Sequence, residues 1–246
     1  MEALQQKAKV ILVEPSGPLN VGSVARLCEN FGVKELRLVA PRCDPNDAEA
    51  QRMAVKGKSF LANAQIYSNL LDAISDCGRI VATAGRIDHG DIPLYSPEEV
   101  MNWSLKGPIE SSIALVFGRE DRGLTNQELL LANKVISLNH SSSYPSLNLS
   151  HAVAIVLHEL YRSEAKSPLN RENKIEPIAS PRDVNNFVKD AEELLLEIGF
   201  LYDHTAKSRM SKIKSVLQRA EIRAEEVALI RGILRQMRWA IENQNS

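Results

Sequence analysis

Residues Ala114–Leu129 read ALVFGREDRGLTNQEL, and the order of those letters decides the fold. A continuous apolar run stops at Gly118, and Arg119, Glu120, Asp121 and Arg122 follow at once before a second glycine, Gly123. Thr125 then stands three residues ahead of Glu128, the spacing of a capping box at a helix start. A strand apolar on both faces, a tight loop and a capped helix form the repeating unit of a parallel sheet covered by helices. A charged surface turn with a good cap accounts for Thr125 and Glu128. It does not account for Gly123, which implies a close backbone approach or a positive φ inside the loop.

The same grammar recurs in both directions. KVILVE (Lys9–Glu14) reads as a buried strand before a helix over Asn20–Phe31 that Gly32 ends. ELRLVAP (Glu35–Pro41) is a second strand, with a helix near Asp47–Lys56 after it. A short strand at Gln65–Tyr67, a helix over Asn69–Ser75 and the strand RIVATAG (Arg79–Gly85) come next. A polar loop with two prolines leads to a short helix from Pro97. Strands over Ser111–Gly118 and Lys134–Asn139 and helices over Asn126–Leu131 and Leu147–Tyr161 complete an α/β domain with a mostly parallel sheet and helices on both faces.

Composition changes after Arg162. SEAKSPLNRENKIEPIASP is proline-bearing and poor in apolar residues, and reads as a linker. Ser180, Pro181 and Asp183 then have the chemistry of a helix start, and Gly199 closes that helix. A last long helix over about Glu221–Ile241 carries Ile230, Ile233, Leu234, Met237 and Ile241 as one apolar stripe. The expected plan is a domain over 1–165, a linker over 166–180 and a small helical extension over 181–246.

A net charge of −1 over 246 residues gives no global signature of a nucleic-acid partner, although a local patch can be basic on a neutral protein. The segment TAKSRMSKIKSVLQRA (Thr205–Ala220) is such a patch, with Lys207, Arg209, Lys212, Lys214 and Arg219 and no acid among them. It reads either as a surface for phosphates or as the solvated face of a helix hairpin. Cys28, Cys43 and Cys77 are scattered and form no CxxC pair, so neither a zinc site nor a disulfide frame is indicated. MEALQQKAK has no apolar signal region and no stretch reaches membrane-span length, which points to the cytoplasm.

Two further loops follow strands, where an open parallel sheet binds its ligands. Glu14–Gly32 (EPSGPLNVGSVARLCENFG) is a glycine loop feeding a helix, without the GK[ST] of a P-loop or a GxGxxG. Asn20 reads there as a possible helix cap, and Arg26 sits oddly between Ala25 and Leu27 on a half-buried helix. Ser141–Leu157 (SSSYPSLNLSHAVAIVL) sets Pro145, Ser146, Asn148 and Ser150 at the mouth of an apolar helix, more polar groups than one cap needs.

NVGSVAR (Asn20–Arg26), FGREDRGLTNQEL (Phe117–Leu129) and SYPSLNLSHAVAI (Ser143–Ile155) together resemble the three ordered motifs of the SPOUT superfamily, in its TrmH-like branch of RNA ribose 2′-O-methyltransferases. The resemblance spans about Lys9–Tyr161. It implies a sheet threaded into a trefoil knot, a homodimer, and S-adenosylmethionine bound in the knot without any metal. The cofactor residues it implies are Thr83, Ala84, Gly85, Gly118, Leu138, Pro145, Ser146 and Leu147. Those around the reacting ribose are Arg26, Asn20, Glu120, Ser146 and Asn148, with Arg26 orienting the hydroxyl and stabilising charge. The C-terminal extension looks most like that of enzymes acting on C or U at nucleotide 32 of the tRNA anticodon loop. A ribosomal RNA methyltransferase and a catalytically silent RNA-binding dimer are the alternatives, and a Rossmann-type nucleotide enzyme is disfavoured by the missing glycine fingerprint.

Overall fold

The computed structural model describes residues 7–85, 92–106, 111–138, 147–166 and 178–244, leaving aside the side chains of 219 and 244, so most of the linker expected over 166–180 lies outside the described residues. Pro145, Ser146 and the Arg219 side chain therefore lie outside the described residues. Seven parallel strands form one sheet: β1 (Ala8–Val13), β2 (Glu35–Val39), β3 (Gln65–Tyr67), β4 (Arg79–Ala84), β5 (Leu94–Tyr95), β6 (Ile113–Phe117) and β7 (Lys134–Ser137). Their order is β3-β2-β1-β6-β4-β7-β5. The first three strands run outward in one direction, and the chain then crosses to the other side of β1. β6 fills the gap, pairing with β1 on one side and β4 on the other. In such a sheet the strand order reverses beside β1, and there the carboxyl ends leave a crevice.

Alternate residues of each strand feed two cores, as the period of two dictates. Val10, Leu12, Leu115 and Phe117 face a core closed by α1 (Pro18–Phe31), α2 (Ala48–Ala54), α3 (Lys58–Ala62), α5 (Pro97–Leu105) and α7 (Leu149–Lys166). Ile11, Val13, Ala114 and Val116 face a second core, covered by the short helices α4 (Leu70–Ile74) and α6 (Asn126–Leu129). Residue for residue, β1 and β6 are wholly buried, which is why their sequences are continuous apolar runs rather than alternating ones. On α1, Gly22 meets α2 so closely that a Cβ there would stand 2.3 Å from the Ala50 carbonyl oxygen.

A third core belongs to the succession α8 (Pro181–Glu197), α9 (Asp203–Ala220) and α10 (Ala224–Gln244), around Phe187, Ala191, Met210 and Val227. Ser180 caps α8 by accepting from the Asp183 N–H, as its sequence indicates. The apolar stripe expected on the last helix divides: Ile230 and Leu234 pack into the core, whereas Ile233 and Met237 are exposed. At 100° per residue the stripe is wider than the arc that α8 and α9 cover. The short elements α3 and β5 have no counterpart in the sequence reading, being too brief to show a period.

The amino ends of the strands hold an ion cluster on the side of the sheet away from the crevice. Asp76 accepts from Arg37 at 2.6 and 2.9 Å and from Lys9 at 2.6 Å, and Arg37 also pairs with Glu35. Both cations are buried. The Arg37 hydrogen bonds, joined by that of Lys9 and opposed by burial, hold the Asp76 carboxyl well below the usual carboxylate range. Its stabilising effect is therefore present above pH ~4 and lost as pH falls toward its folded value. Asp76→Ala should destabilise the protein by about 2 kcal/mol in urea unfolding near pH 7, discounted for the half-exposed carboxylate, and the deficit should shrink in strong acid.

Candidate active site

The adjacency of β1 and β6 brings two loops from opposite ends of the domain together. α1 starts at Pro18, two residues before the sequence reading placed it, with Gly17 as a cap lacking a side chain. Asn20 is thus inside the first turn and is not the cap. The missing acceptor comes from the loop after β6. Glu120 accepts from the Ser16 N–H at 3.1 Å, the Gly17 N–H at 3.1 Å and the Asn20 Nδ2 at 3.3 Å. The two backbone donors precede α1, Gly17 being its cap position, so the carboxylate stands at the positive end of the helix dipole. Burial of Glu120 opposes its charge, but these donors and its own backbone N–H outweigh burial and leave its pKa lowered.

A third loop joins the same network. Asn148 Nδ2 donates to Asn20 Oδ1 at 2.9 Å, while Asn148 Oδ1 accepts from the Ser150 N–H at 2.9 Å and the Ser150 hydroxyl at 2.7 Å. Asn148 therefore both caps α7 and reaches α1. Glu120, Asn20 and Asn148 form one hydrogen-bonded line across three chain segments that are far apart in sequence.

The loop carrying Glu120 is itself gripped. Arg119 is only 8% exposed in its side chain and forms a two-pronged pair with Glu128, at 2.9 and 3.0 Å, while its Nη2 also donates to Glu14. Glu14, at the end of β1 with φ of +46°, also receives Arg42. The Arg119 hydrogen bond above all, with Arg42 behind it and burial opposing, brings the Glu14 carboxyl down to about 2. Glu128 closes the capping box with Thr125 as its spacing requires. Gly123 has φ of +70°, and Arg119 and Gly123 exchange backbone hydrogen bonds across the turn. Gly118 lies so close to this turn that a Cβ would stand 2.3 Å from Gly123 carbon and Leu124 nitrogen. Both glycines of the loop thus have a steric reason.

Behind the line lies a cavity of about 200 Å³ over the ends of three neighbouring strands. Thr83, Ala84 and Gly85 after β4, Gly118 and Glu120 after β6, and Leu138 after β7 all border it, as does Leu147. Leu149 and Ala152 of α7 add an apolar wall that the sequence reading did not include. Thr83 Oγ1 donates to the Val116 carbonyl at 3.3 Å, tying β4 to β6 beneath the cavity. Arg26 stands apart. It is exposed on α1 and does not border the cavity. Six residues beyond Asn20, it is about 9 Å along the helix and roughly 120° around it.

The basic segment forms most of α9, and its side chains diverge. Lys207, Lys212 and Lys214 border a cleft of about 660 Å³ whose opposite wall includes Asn126 and Gln127 of α6. Arg209 points elsewhere, donating to the Phe200 carbonyl at 2.7 Å and lying over the Phe200 ring. Among the described residues there is no cluster of three or more potential metal-ligating side chains, and no helix is long and apolar enough to cross a membrane.

Residues 7–158 match the SpoU rRNA methylase family, and the chain belongs to it. Methyl transfer is accordingly its class of reaction. Residues 182–246 match a second model, the C-terminal domain of the tRNA methyltransferase TrmJ. The chain is 32% identical over 243 residues to the tRNA (cytidine/uridine-2′-O-)-methyltransferase TrmJ of Citrobacter koseri, covering 98% of both chains. Its structure is similar to that of TrmJ from Z. mobilis ZM4, with a TM-score of 0.81 at 25% identity, covering 94% of this chain and 99% of that one. A probable methylase family protein from Haemophilus influenzae Rd KW20 gives 0.62 at 27% identity, over 98% and 99% of the two chains.

Gly118→Ala should lower stability by roughly 1–3 kcal/mol, because the added methyl meets backbone on both sides and the Arg119 clamp prevents retreat. Urea unfolding checks the loss. Wild-type stability would show that the loop yields freely.

Proposed function

We propose that the protein transfers a methyl group from S-adenosylmethionine to a ribose 2′-hydroxyl of tRNA, at nucleotide 32 of the anticodon loop where that nucleotide is C or U. The observation that carries this reading is the line Glu120–Asn20–Asn148 beside a cavity at the carboxyl ends of β4, β6 and β7, which Glu120 borders. The match of the C-terminal region to the TrmJ domain favours tRNA over ribosomal RNA.

The cavity suits a nucleoside sulfonium. Among the described residues a Cβ on Gly85 would meet no atom within 4 Å, and Leu138, Leu147 and Leu149 supply apolar surface for a base. Thr83, Ala84, Gly85, Gly118, Leu138 and Leu147 would hold the cofactor, as would Pro145 and Ser146. S-adenosylmethionine supplies a methyl group already activated by its sulfonium. The protein's part is to align the ribose oxygen and lower the cost of removing its proton. Glu120 fixes Asn20, and Asn20 fixes Asn148, so both amides are presented in set orientations. A guanidinium stays protonated through the working pH range, so Arg26 orients the hydroxyl and stabilises developing charge rather than acting as a base.

Arg26 does not border its own chain's cavity, and the reading has it serve the site of a second copy in a homodimer. Exposed Leu19 on α1, and Ile155 and Tyr161 on α7, offer apolar surface to that partner. Lys207, Lys212 and Lys214 would contact tRNA phosphates, which reconciles an RNA substrate with a chain of charge −1.

Arg26→Ala should lower methyl transfer to tRNA about a hundredfold or more while leaving S-adenosylmethionine affinity unchanged. Undiminished transfer removes Arg26 from the mechanism. In cells lacking the protein, tRNA should lose the 2′-O-methyl at nucleotide 32, and loss of a ribosomal RNA methyl instead overturns the assignment. Lys212→Glu with Lys214→Glu should raise the tRNA KM about tenfold or more and weaken its salt dependence. An unchanged KM makes the α9 cleft a bystander.

A further inference from the structure

The helical bundle meets the sheet domain largely through apolar side chains, among them Leu130 and Leu131 on one side and Val184, Val188, Leu217 and Ile222 on the other. Apolar contact is not directional, and a cavity of about 60 Å³ remains within it. Contact of this kind holds the two parts together without fixing their register. Two ion pairs cross the same boundary: Arg182 and Asp72 stand 3.7 Å apart with both side chains exposed, while Lys134 of β7 and Glu221 just after α9 stand 3.2 Å apart and are partly buried.

Among the described residues, a buried polar side chain also bridges this interface through directional hydrogen bonds. Gln218 on α9 is 8% exposed, and its Nε2 donates to the Leu129 carbonyl at 3.0 Å and the Ala132 carbonyl at 2.6 Å. Both acceptors lie where α6 ends. The other end of α6 carries Glu128, which grips Arg119 in the site loop, and Asn126 and Gln127, which wall the α9 cleft. α6 is therefore shared by the cavity loop, the cleft and the bundle. On α9, Lys207, Ser211, Lys214 and Gln218 follow one another at helical spacing on a single face. Lys207 and Lys214 thus reach the cleft from the face that Gln218 pins, and Lys212 borders it from another side of the same helix.

We propose that Gln218 is a positioning residue for tRNA: its two hydrogen bonds to the end of α6 fix the register of α9, and so set where Lys207, Lys212 and Lys214 stand relative to the methyl-transfer site. This rests on the reading of the cleft lysines as tRNA contacts. Register affects capture of a large substrate bridging both parts of the protein. It leaves the chemistry at the cavity untouched once that substrate is seated.

The test uses the full-length protein and tRNA from cells lacking it. Gln218→Met keeps length and volume but removes the donors, and Gln218→Glu sets a carboxylate against two carbonyl oxygens. The tRNA KM should rise about tenfold in the methionine variant and further in the glutamate variant, with kcat and S-adenosylmethionine affinity unchanged. In a Lys212→Glu, Lys214→Glu background, Gln218→Met should have little further effect, since the lysines are what it positions. If the methionine variant does not accumulate folded, Gln218→Asn, whose amide falls short of the carbonyls, is read in the same way. A lowered melting temperature with unchanged tRNA KM, a fall in kcat alone, or full additivity with the lysine changes overturns the inference. If the lysine changes themselves leave the tRNA KM unaltered, the reading of the cleft fails first, and the two failures are told apart.

Discussion

Everything at the crevice depends on one carboxylate reaching across two strands. Glu120 takes the Ser16 and Gly17 N–H groups just ahead of α1, and it can do so because β1 and β6 are neighbours in the sheet. The interaction is charge-assisted and orients Asn20. Its geometry is kept by a second arrangement, in which Arg119 is held between Glu128 and Glu14. Two acidic side chains thus flank one nearly buried guanidinium, and the loop between Gly118 and Gly123 has little freedom to move. That rigidity suits a site whose task is orientation.

Much of this was legible in the sequence where local chemistry dictates local structure. The apolar runs at Lys9–Glu14 and Ser111–Gly118 are strands to within two residues at each end, and the Thr125 and Ser180 caps form as their spacing requires. Gly123 has the positive φ that a second glycine in a charged loop implied. The three loops that stood out as too polar for their positions are those that the sheet gathers together. What stayed hidden depends on long-range placement. Asn20 looked like a cap because its chemistry fits one. The true acceptor, Glu120, is a hundred residues away and cannot be found by spacing along a helix. Arg209 and Lys207 look alike in a basic run, and only the packed bundle shows one turned onto Phe200 and the other into the cleft. Gln218 is an ordinary polar letter until α6 is set beside it.

The two parts of the chain are held by different physics. The sheet domain has cores on both faces with continuous apolar strands. The bundle has a smaller core and leaves Leu229, Ile233 and Met237 of α10 uncovered. Its α8 lies against α4 and its α9 against α6, both very short helices. The face of the sheet with the thinnest cover is therefore the one the bundle completes. A near-neutral chain can still present a concentrated positive surface there, because the cations of α9 are sorted by orientation and only part of them line the cleft.

The contact between Glu120 and α1 also has a consequence in time. α1 is made early in synthesis, yet the acceptor for the two N–H groups just ahead of it is translated about a hundred residues later. Until β6 emerges and slots between β1 and β4, the Ser16 and Gly17 N–H groups have only water. Closing so long a loop is slow compared with forming a helix. The crevice is consequently among the last features to mature on the ribosome, so a partly made chain already has half its sheet but no organised pocket.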